Sequence, residues 1–309
     1  MKSANHDNSP SGASSSRRAF LKQSALAGSG LLLLAAGRSK ADDAPVPAGG
    51  SDGAVPTNAT LKTIHGLRTI HGNFLDKPIP EPALQTILKA SVRAANASNM
   101  QSYSIVVVKD RKTMGDLCGY RGGCMLLYCV DFNRLEASAE LMGYPYFPDN
   151  MTAFVTASVN AGLAVQTAAI AARSLGIDYL ITNGIHRGDM ERVWKILDLP
   201  AKHCFPLIAM VLGYPTEEPS HQKGRLSGPG VIHYEKYHRL TTSEVEDIVR
   251  QYDDPERHLA LDEDWKAKGY KHYLDWYFKD WLGDSKPTDQ ETQMLRFLKR
   301  SGFVEPQKA

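Results

Sequence analysis

The sequence predicts a mixed fold of the α+β or α/β class, one small sheet wrapped by helices. Short apolar runs at Tyr103–Val108 (YSIVVV), Met125–Val130 (MLLYCV), Tyr179–Thr182 and Pro206–Leu212 (PLIAMVL) have the length and composition of buried strands. Helical patterns separate several of them. The third observation is the stretch Thr152–Leu175, rich in Ala, Val and Leu, with no charge from Thr152 to Ala172. A helix apolar on every face is buried, in a large core or in a membrane. Its length suits a membrane span. Asn160 and Gln166 would then sit deep in lipid, and the many Ala and Gly suit close helix packing better, so a buried helix of a soluble domain is expected.

Taken in order, Asn58–His65 is a short helix capped by Asn58. Arg68–Phe74 (RTIHGNF) is a polar, basic loop. Pro80-Glu81-Pro82 starts a helix over Glu81–Ala94, with Leu84, Ile87, Leu88 and Ser91 on one face. Asn96–Gln101 (NASNMQ) is a polar loop before the first strand. Asp189–Leu197 is a helix. The last strand ends at Gly213-Tyr214-Pro215, and His221–Leu226 is again polar and basic. From Ser243 onward the pattern is mostly helical, with an aromatic-rich segment at Tyr270–Trp281 (YKHYLDWYFKDW).

The 309-residue chain has a different character at its start. Ser16-Arg17-Arg18-Ala19-Phe20-Leu21-Lys22 precedes an apolar run over Ala25–Ala36, and Ser39-Lys40-Ala41 offers a small-x-small cleavage site. This order is that of a secretory signal, and the paired arginines resemble the twin-arginine export signal. Residues 1–41 are therefore expected to be a signal peptide and the protein periplasmic or otherwise exported. Residues 42–56 (DDAPVPAGGSDGAVP) are a flexible linker. Residues 57–309 form the folded domain. Without the signal, Lys+Arg falls from 36 to 30 and Asp+Glu from 34 to 33, a net charge of −3. A weakly acidic chain without basic clusters argues against nucleic acid and anionic membrane surfaces as partners.

The chain has four cysteines, Cys118, Cys124, Cys129 and Cys204. Cys118 and Cys124 flank a Gly-rich loop and could pair in an oxidising compartment; four reduced, buried thiols is the favoured reading. Cys-x-x-Cys and Cys/His metal spacings are absent, so no metal is expected. Nor does the sequence hold G-x-G-x-x-G after a strand, a Walker A loop, a nucleophile elbow or H-E-x-x-H. What it does hold is basic residues on distant loops: Arg68 with His71, and Lys223 with Arg225. Two or three positive groups bind a phosphate monoester if folding brings them together.

In their order, these loops resemble the nitroreductase family of FMN-dependent flavoenzymes. Arg68-Thr69-Ile70-His71 is similar to its early Arg-Ser-x-Arg element, and Pro78-Ile79-Pro80-Glu81 to its next turn. Ala94–Gln101 resembles its Ala-Ala-Pro-[Ser/Thr]-x-x-Asn-x-Gln loop, and Ile181-Thr182-Asn183-Gly184 its aromatic-Ile-Gly-Gly turn. Leu212-Gly213-Tyr214-Pro215 followed by Lys223-Gly224-Arg225-Leu226 resembles its Gly-Tyr-Pro and Lys-x-Arg elements. The ending Leu295–Phe303 is similar to the last helix of the larger, NADPH-using nitroreductase and flavin reductase branch.

The resemblance covers about residues 57–309. It implies an α+β sandwich, a small antiparallel-type mixed sheet wrapped by helices, in an intertwined homodimer with FMN in a cleft at the subunit interface. Thr152–Leu175 would be the central dimer helix. Arg68, Thr69, Lys223 and Arg225 would hold the FMN phosphate and ribityl chain, with His71 as a pH-dependent cation where the family has Arg. Ser98, Asn99 and Gln101 would bond the ribityl chain or ring edge. The turn Thr182, Asn183, Gly184 would offer backbone amides near N5. Asn96 stands where the family has a loop proline. Asn183 replaces a glycine, and Asn tolerates a left-handed backbone better than most residues. The flavin carries the redox chemistry, so no catalytic acid or nucleophile is required of the protein.

The expected function is an exported FMN-dependent oxidoreductase that reduces nitroaromatic, quinone or similar acceptors by two-electron transfer. NAD(P)H is cytoplasmic, so its donor would be something else, or reduction would pass through an electron-donor protein. The alternative is a flavin-binding electron-carrier module that works only with a partner protein, docking through Tyr270–Trp281; core and dimer packing is the plainer reading of that segment.

Overall fold

Four strands form one sheet in the order β1-β2-β4-β3, with every neighbouring pair antiparallel. The computed structural model describes residues 57–283 and 289–304. The signal peptide and the linker expected over residues 1–56 lie outside these.

The chain begins with α1 (Ala59–His65), capped as expected by the Asn58 side chain, which accepts from the Leu61 amide at 2.9 Å. Pro at the start of α2 (Glu81–Ser91) fits a position whose amide has no helical partner. α2 ends three residues before the expected Ala94, because the Arg93 and Ala94 amides bond carbonyls three residues back, those of Ala90 and Ser91. β1 is Tyr103–Val108. Then comes α3 (Arg111–Cys118), absent from the sequence reading, although the Asp110 side chain caps it by accepting from the Thr113 amide at 2.7 Å. β2 (Cys124–Asp131) is followed by α4 (Asn133–Met142), also unforeseen.

The long helix α5 (Met151–Ser174) is the only described helix long and apolar enough to match a membrane span by composition. It is not buried all round. Ala157, Ala161, Ala164, Val165, Ala168 and Ala172 are buried against the sheet and α2, while Met151, Val155, Val159 and Leu163 form an exposed apolar row at helical spacing. β3 (Asp178–Thr182), α6 (Glu191–Leu197) and β4 (Cys204–Gly213) complete the sheet. β4 is longer than expected and lies between β2 and β3.

β2 is buried on both faces, so it reads as an unbroken apolar run rather than an alternation. Met125, Leu127 and Cys129 face a core shared with α3, α6 and Phe297; Leu126 and Tyr128 face a second core with α2 and α5. All four cysteines are buried and free. Burial pushes the Cys118 thiol up and the Cys124 thiol to about 11, which keeps both protonated.

Beyond the sheet come α7 (Thr242–Asp253), α8 (Tyr273–Trp276) running into a π-helical turn at Tyr277–Trp281, and α9 (Asp289–Arg300). The aromatic segment divides its roles. Tyr273 and Trp276 are buried with Trp265 and Ala260 in a third small core, whereas Phe278 and Trp281 are exposed.

Candidate functional site

The loop after α1 carries Arg68, Thr69 and His71, and it is tied to the sheet end rather than left free. The Ile70 amide donates to the Tyr179 carbonyl on β3 at 3.0 Å, and the Leu75 amide to the Tyr214 carbonyl beyond β4 at 2.8 Å. Phe74 bridges to Pro215 and packs where a Cβ on Gly213 would lie 2.6 Å from its ring, so only glycine fits that position.

The loop after β4 is then pinned to the first. The Gln222 side-chain amide donates to the His65 carbonyl at 2.7 Å and to that of Leu67 at 2.6 Å. On the other side, the Gly224 amide donates to the His258 carbonyl at 3.1 Å, with the Arg257 carbonyl so close that a Cβ there would meet it at 2.0 Å.

These ties bring Arg68, Thr69, His71, Lys223 and Arg225 onto one cavity of about 660 Å3, within the size range of small-molecule sites. Leu259, Ala260, Leu261 and Trp281 also line it. An adjoining recess of about 400 Å3 shares Arg68, Thr69, Lys223 and Arg225 and adds Gln166, Tyr179 and Ile181.

The three fixed cations are held differently. Arg68 makes a two-pronged bond to Asp178, Nε to Oδ1 at 2.9 Å and Nη2 to Oδ2 at 2.7 Å, and its Nη1 lies 2.7 Å from Glu218. Asp178 is 1% exposed at its side chain and Glu218 is 74% exposed. The Asp178 hydrogen bond, then that of Glu218, holds the Arg68 proton more firmly than usual. Lys223 Nζ donates to Glu263 at 2.6 Å and to the Ala260 carbonyl at 2.9 Å. The same ammonium holds the Glu263 carboxyl below its ordinary range. Arg225 differs: its guanidinium donates to the Lys223 and Gly224 carbonyls, and no carboxylate pairs with it among the described residues. A cation satisfied only by carbonyls is the readiest group for an incoming anion.

His221, His258 and Glu263 also meet beside the cavity, their ligand-type atoms within 4.8 Å of one another. The two imidazoles stack face to face, centroids 3.8 Å apart and 11° from parallel, with His221 Nε2 2.8 Å from the carboxylate that Lys223 shares. Parallel rings do not aim their in-plane lone pairs at one ion, and His258 Nδ1, 3.5 Å from Glu263, has no hydrogen-bond partner.

The other expected residues lie elsewhere. Ser98, Asn99 and Gln101 are not on either cavity wall. They sit on a loop whose backbone is left-handed at all three (φ 51°, 53° and 50°). It is held by Asn160 of α5, whose carboxamide accepts from the Ala97 amide at 2.9 Å and donates to Ser102 Oγ at 3.0 Å, and by Asn96, which accepts from the Gln101 amide at 3.0 Å. Thr182, Asn183 and Gly184 directly follow the recess residue Ile181 without lining it. The Gly184 amide is already taken, donating to Thr182 Oγ1 at 3.0 Å. Asn183 has φ −89°, an ordinary right-handed value, so its tolerance of left-handed backbone is not called on.

Sequence reasoning missed Asp178, Gln222, Glu263, Asn160 and the aliphatic wall. Asp178 and Asn160 did carry a signal, each a polar residue inside an otherwise apolar element.

Comparison with known proteins places the chain in a family and a fold. A model described as "Nitroreductase family" matches residues 64–140, which include the first cationic loop and the loop at 96–101. An FMN reductase [NAD(P)H] of Bacillus subtilis (strain 168) is 30% identical over 207 residues, covering 64% of this chain and 81% of that protein. An NADPH-dependent oxidoreductase of Staphylococcus saprophyticus is 27% identical over 264 residues, 79% of this chain and 96% of the relative. Among solved structures, B. megaterium NfrA2 superposes with a TM-score of 0.68 at 26% identity, over 80% of this chain and 98% of that one.

Proposed function

The chain belongs to the nitroreductase family, and we propose that it is an exported FMN-dependent oxidoreductase that reduces nitroaromatic, quinone or similar small acceptors. The observation that carries this reading is the meeting of Arg68, Lys223 and Arg225, from two loops far apart in the sequence, on one cavity.

These residues fit the FMN phosphate. Arg225 has only carbonyl partners to give up, and Arg68 and Lys223 present a third and second donor through exposed or half-exposed carboxylates that a phosphate can replace. Thr69 adds a hydroxyl at the same wall. When bound, FMN supplies the two-electron transfer to the acceptor. The chain binds and orients it: the cations fix the phosphate, and Gln222 keeps the two cationic loops together.

The site reading includes a homodimer. The exposed row Met151, Val155, Val159 and Leu163 on α5 suits a second copy, as do the exposed Leu141, Met142, Tyr144 and Phe147 nearby in sequence. In such an assembly the pre-shaped loop with Ser98, Asn99 and Gln101 would serve the partner's cavity, in keeping with a flavin cleft at the interface. The Thr182–Gly184 turn, beyond the recess, would face the ring.

The decisive experiment compares FMN with riboflavin, which lacks the phosphate. FMN binds the wild-type protein much more tightly, and Arg225→Ala loses flavin on purification while remaining folded and discriminates little between the two. Equal affinity in the wild type rejects the phosphate assignment. Export rests on residues 16–22. Changing Arg17 and Arg18 together to Lys should leave the protein unprocessed in the cytoplasm; a double variant that still crosses the membrane rules out the twin-arginine route.

The relatives' names point to NADPH, which an exported protein does not meet, so reduction through a donor protein is the companion reading. The exposed Trp281 on the cavity lining favours it. Steady-state turnover with NADPH and a quinone separates an autonomous enzyme from a carrier that needs its partner.

A further inference from the structure

Asp178 opens β3 and is 1% exposed. A buried carboxylate is costly unless paired and hydrogen-bonded. Its partners explain it. Arg68 meets it with Nε and Nη2, and Arg173, in the last turn of α5, donates Nη1 to Oδ1 at 3.1 Å. Arg173 is fixed in turn by donating Nε to the Gly66 carbonyl at 3.0 Å, just where the cationic loop begins.

Two consequences follow from this geometry. The fork occupies two of the Arg68 nitrogens and turns the third, Nη1, away from Asp178, where it meets exposed Glu218. Two guanidiniums on one carboxylate also leave a surplus positive charge, so the pairing orients Arg68 without cancelling it. An exposed ion pair such as Arg68–Glu218 contributes little, and Glu218 can leave when a phosphate arrives. Asp178 cannot.

We propose that Asp178 is the positioning residue of the anion-binding wall, holding Arg68 so that Nη1 is presented to the phosphate, with Arg173 keeping that wall positive. The inference rests on the FMN-phosphate reading above and extends it to a residue that never touches the ligand. Lysine cannot replace Arg68 in this role, because one ammonium cannot form the fork to Asp178 and still present a separate corner to the anion.

The test uses the full-length holoprotein, loaded with FMN or exchanged into riboflavin, and reads the flavin released on serial dilution by its fluorescence. Asp178→Asn should weaken FMN about tenfold or more, the scale of one charge-assisted hydrogen bond, and leave riboflavin unchanged. The FMN-to-riboflavin ratio therefore collapses. A purely structural role would weaken both ligands together, and that result overturns the proposal, as does an unchanged ratio. Should Asp178→Asn not fold, Arg68→Lys decides: loss of the ratio supports the fork, and a wild-type ratio overturns it. Absence of any FMN preference in the wild type would instead reject the phosphate reading on which the inference stands.

Discussion

The carboxamide of Gln222 donates to the carbonyl of Leu67 at 2.6 Å, and this bond, with its twin to His65, joins two loops that are adjacent nowhere in the sequence. Each such bond contributes about 0.5–1.5 kcal/mol. Gln222→Ala should let the second loop drift from the first, weakening FMN about tenfold, with only a small change in melting temperature because the site is exposed. Flavin fluorescence titration beside a thermal melt checks both halves. A large loss of stability with unchanged affinity would show that the tie serves the fold alone.

Asn160 has the opposite balance. It is 2% exposed, and its removal orphans the Ala97 amide and Ser102 Oγ. Leaving such groups unpaired costs about 1–3 kcal/mol. Asn160→Ala should lower stability by that amount in urea denaturation and free the left-handed loop at Ser98–Gln101. A variant as stable as wild type would contradict this account.

Val159 lies in the exposed apolar row of α5. Light scattering on protein lacking residues 1–41 should give twice the chain mass. Val159→Asp places a charge in that row and should shift the protein toward monomer while the single-chain core is kept. A dimer of undiminished stability would mean that the row is not the interface.

His186 gives a pH dependence whose sign can be worked out. Burial, the largest cause, lowers its pKa from the ordinary 6.5, although its bond to the Pro206 carbonyl acts the other way. The unfolded chain therefore takes up a proton at His186 more readily than the folded one. Stability from this group is full above pH 6.5 and is lost as pH falls from there toward the lowered folded value. His186→Gln, which keeps a donor for Pro206 but does not titrate, should flatten the melting-temperature profile between pH 7.5 and 5. An equally steep profile would remove His186 as the cause.

Strands and the long helix were legible because their signal is local. Apolar runs such as MLLYCV at Met125–Val130 admit few other readings once they are buried on both faces. The cationic loops were legible as residue types through a family pattern. Their convergence was not, since it depends on Gln222 and on the Phe74–Pro215 bridge. The partners of Asp178 were illegible for the same reason: a polar residue at the start of an apolar strand says nothing of two arginines that reach it from other elements. α3 went unseen because it is short, and α4 because it has no buried residue to mark an apolar face. The exposed half of α5 shows the limit of composition, which reports that a surface wants covering and not by what.

The strand order has a consequence for how the protein is made. Among the described residues, β3 has no neighbour except β4, and β2 gains its second neighbour only from β4. The β1–β2 hairpin must therefore wait on the ribosome with one edge open until residues 204–213 have emerged, after α4, α5, β3 and α6. An open apolar edge of that kind invites pairing with another nascent chain. Synthesis of this protein thus has a vulnerable interval, which ends only when its last strand slides into the middle of the sheet.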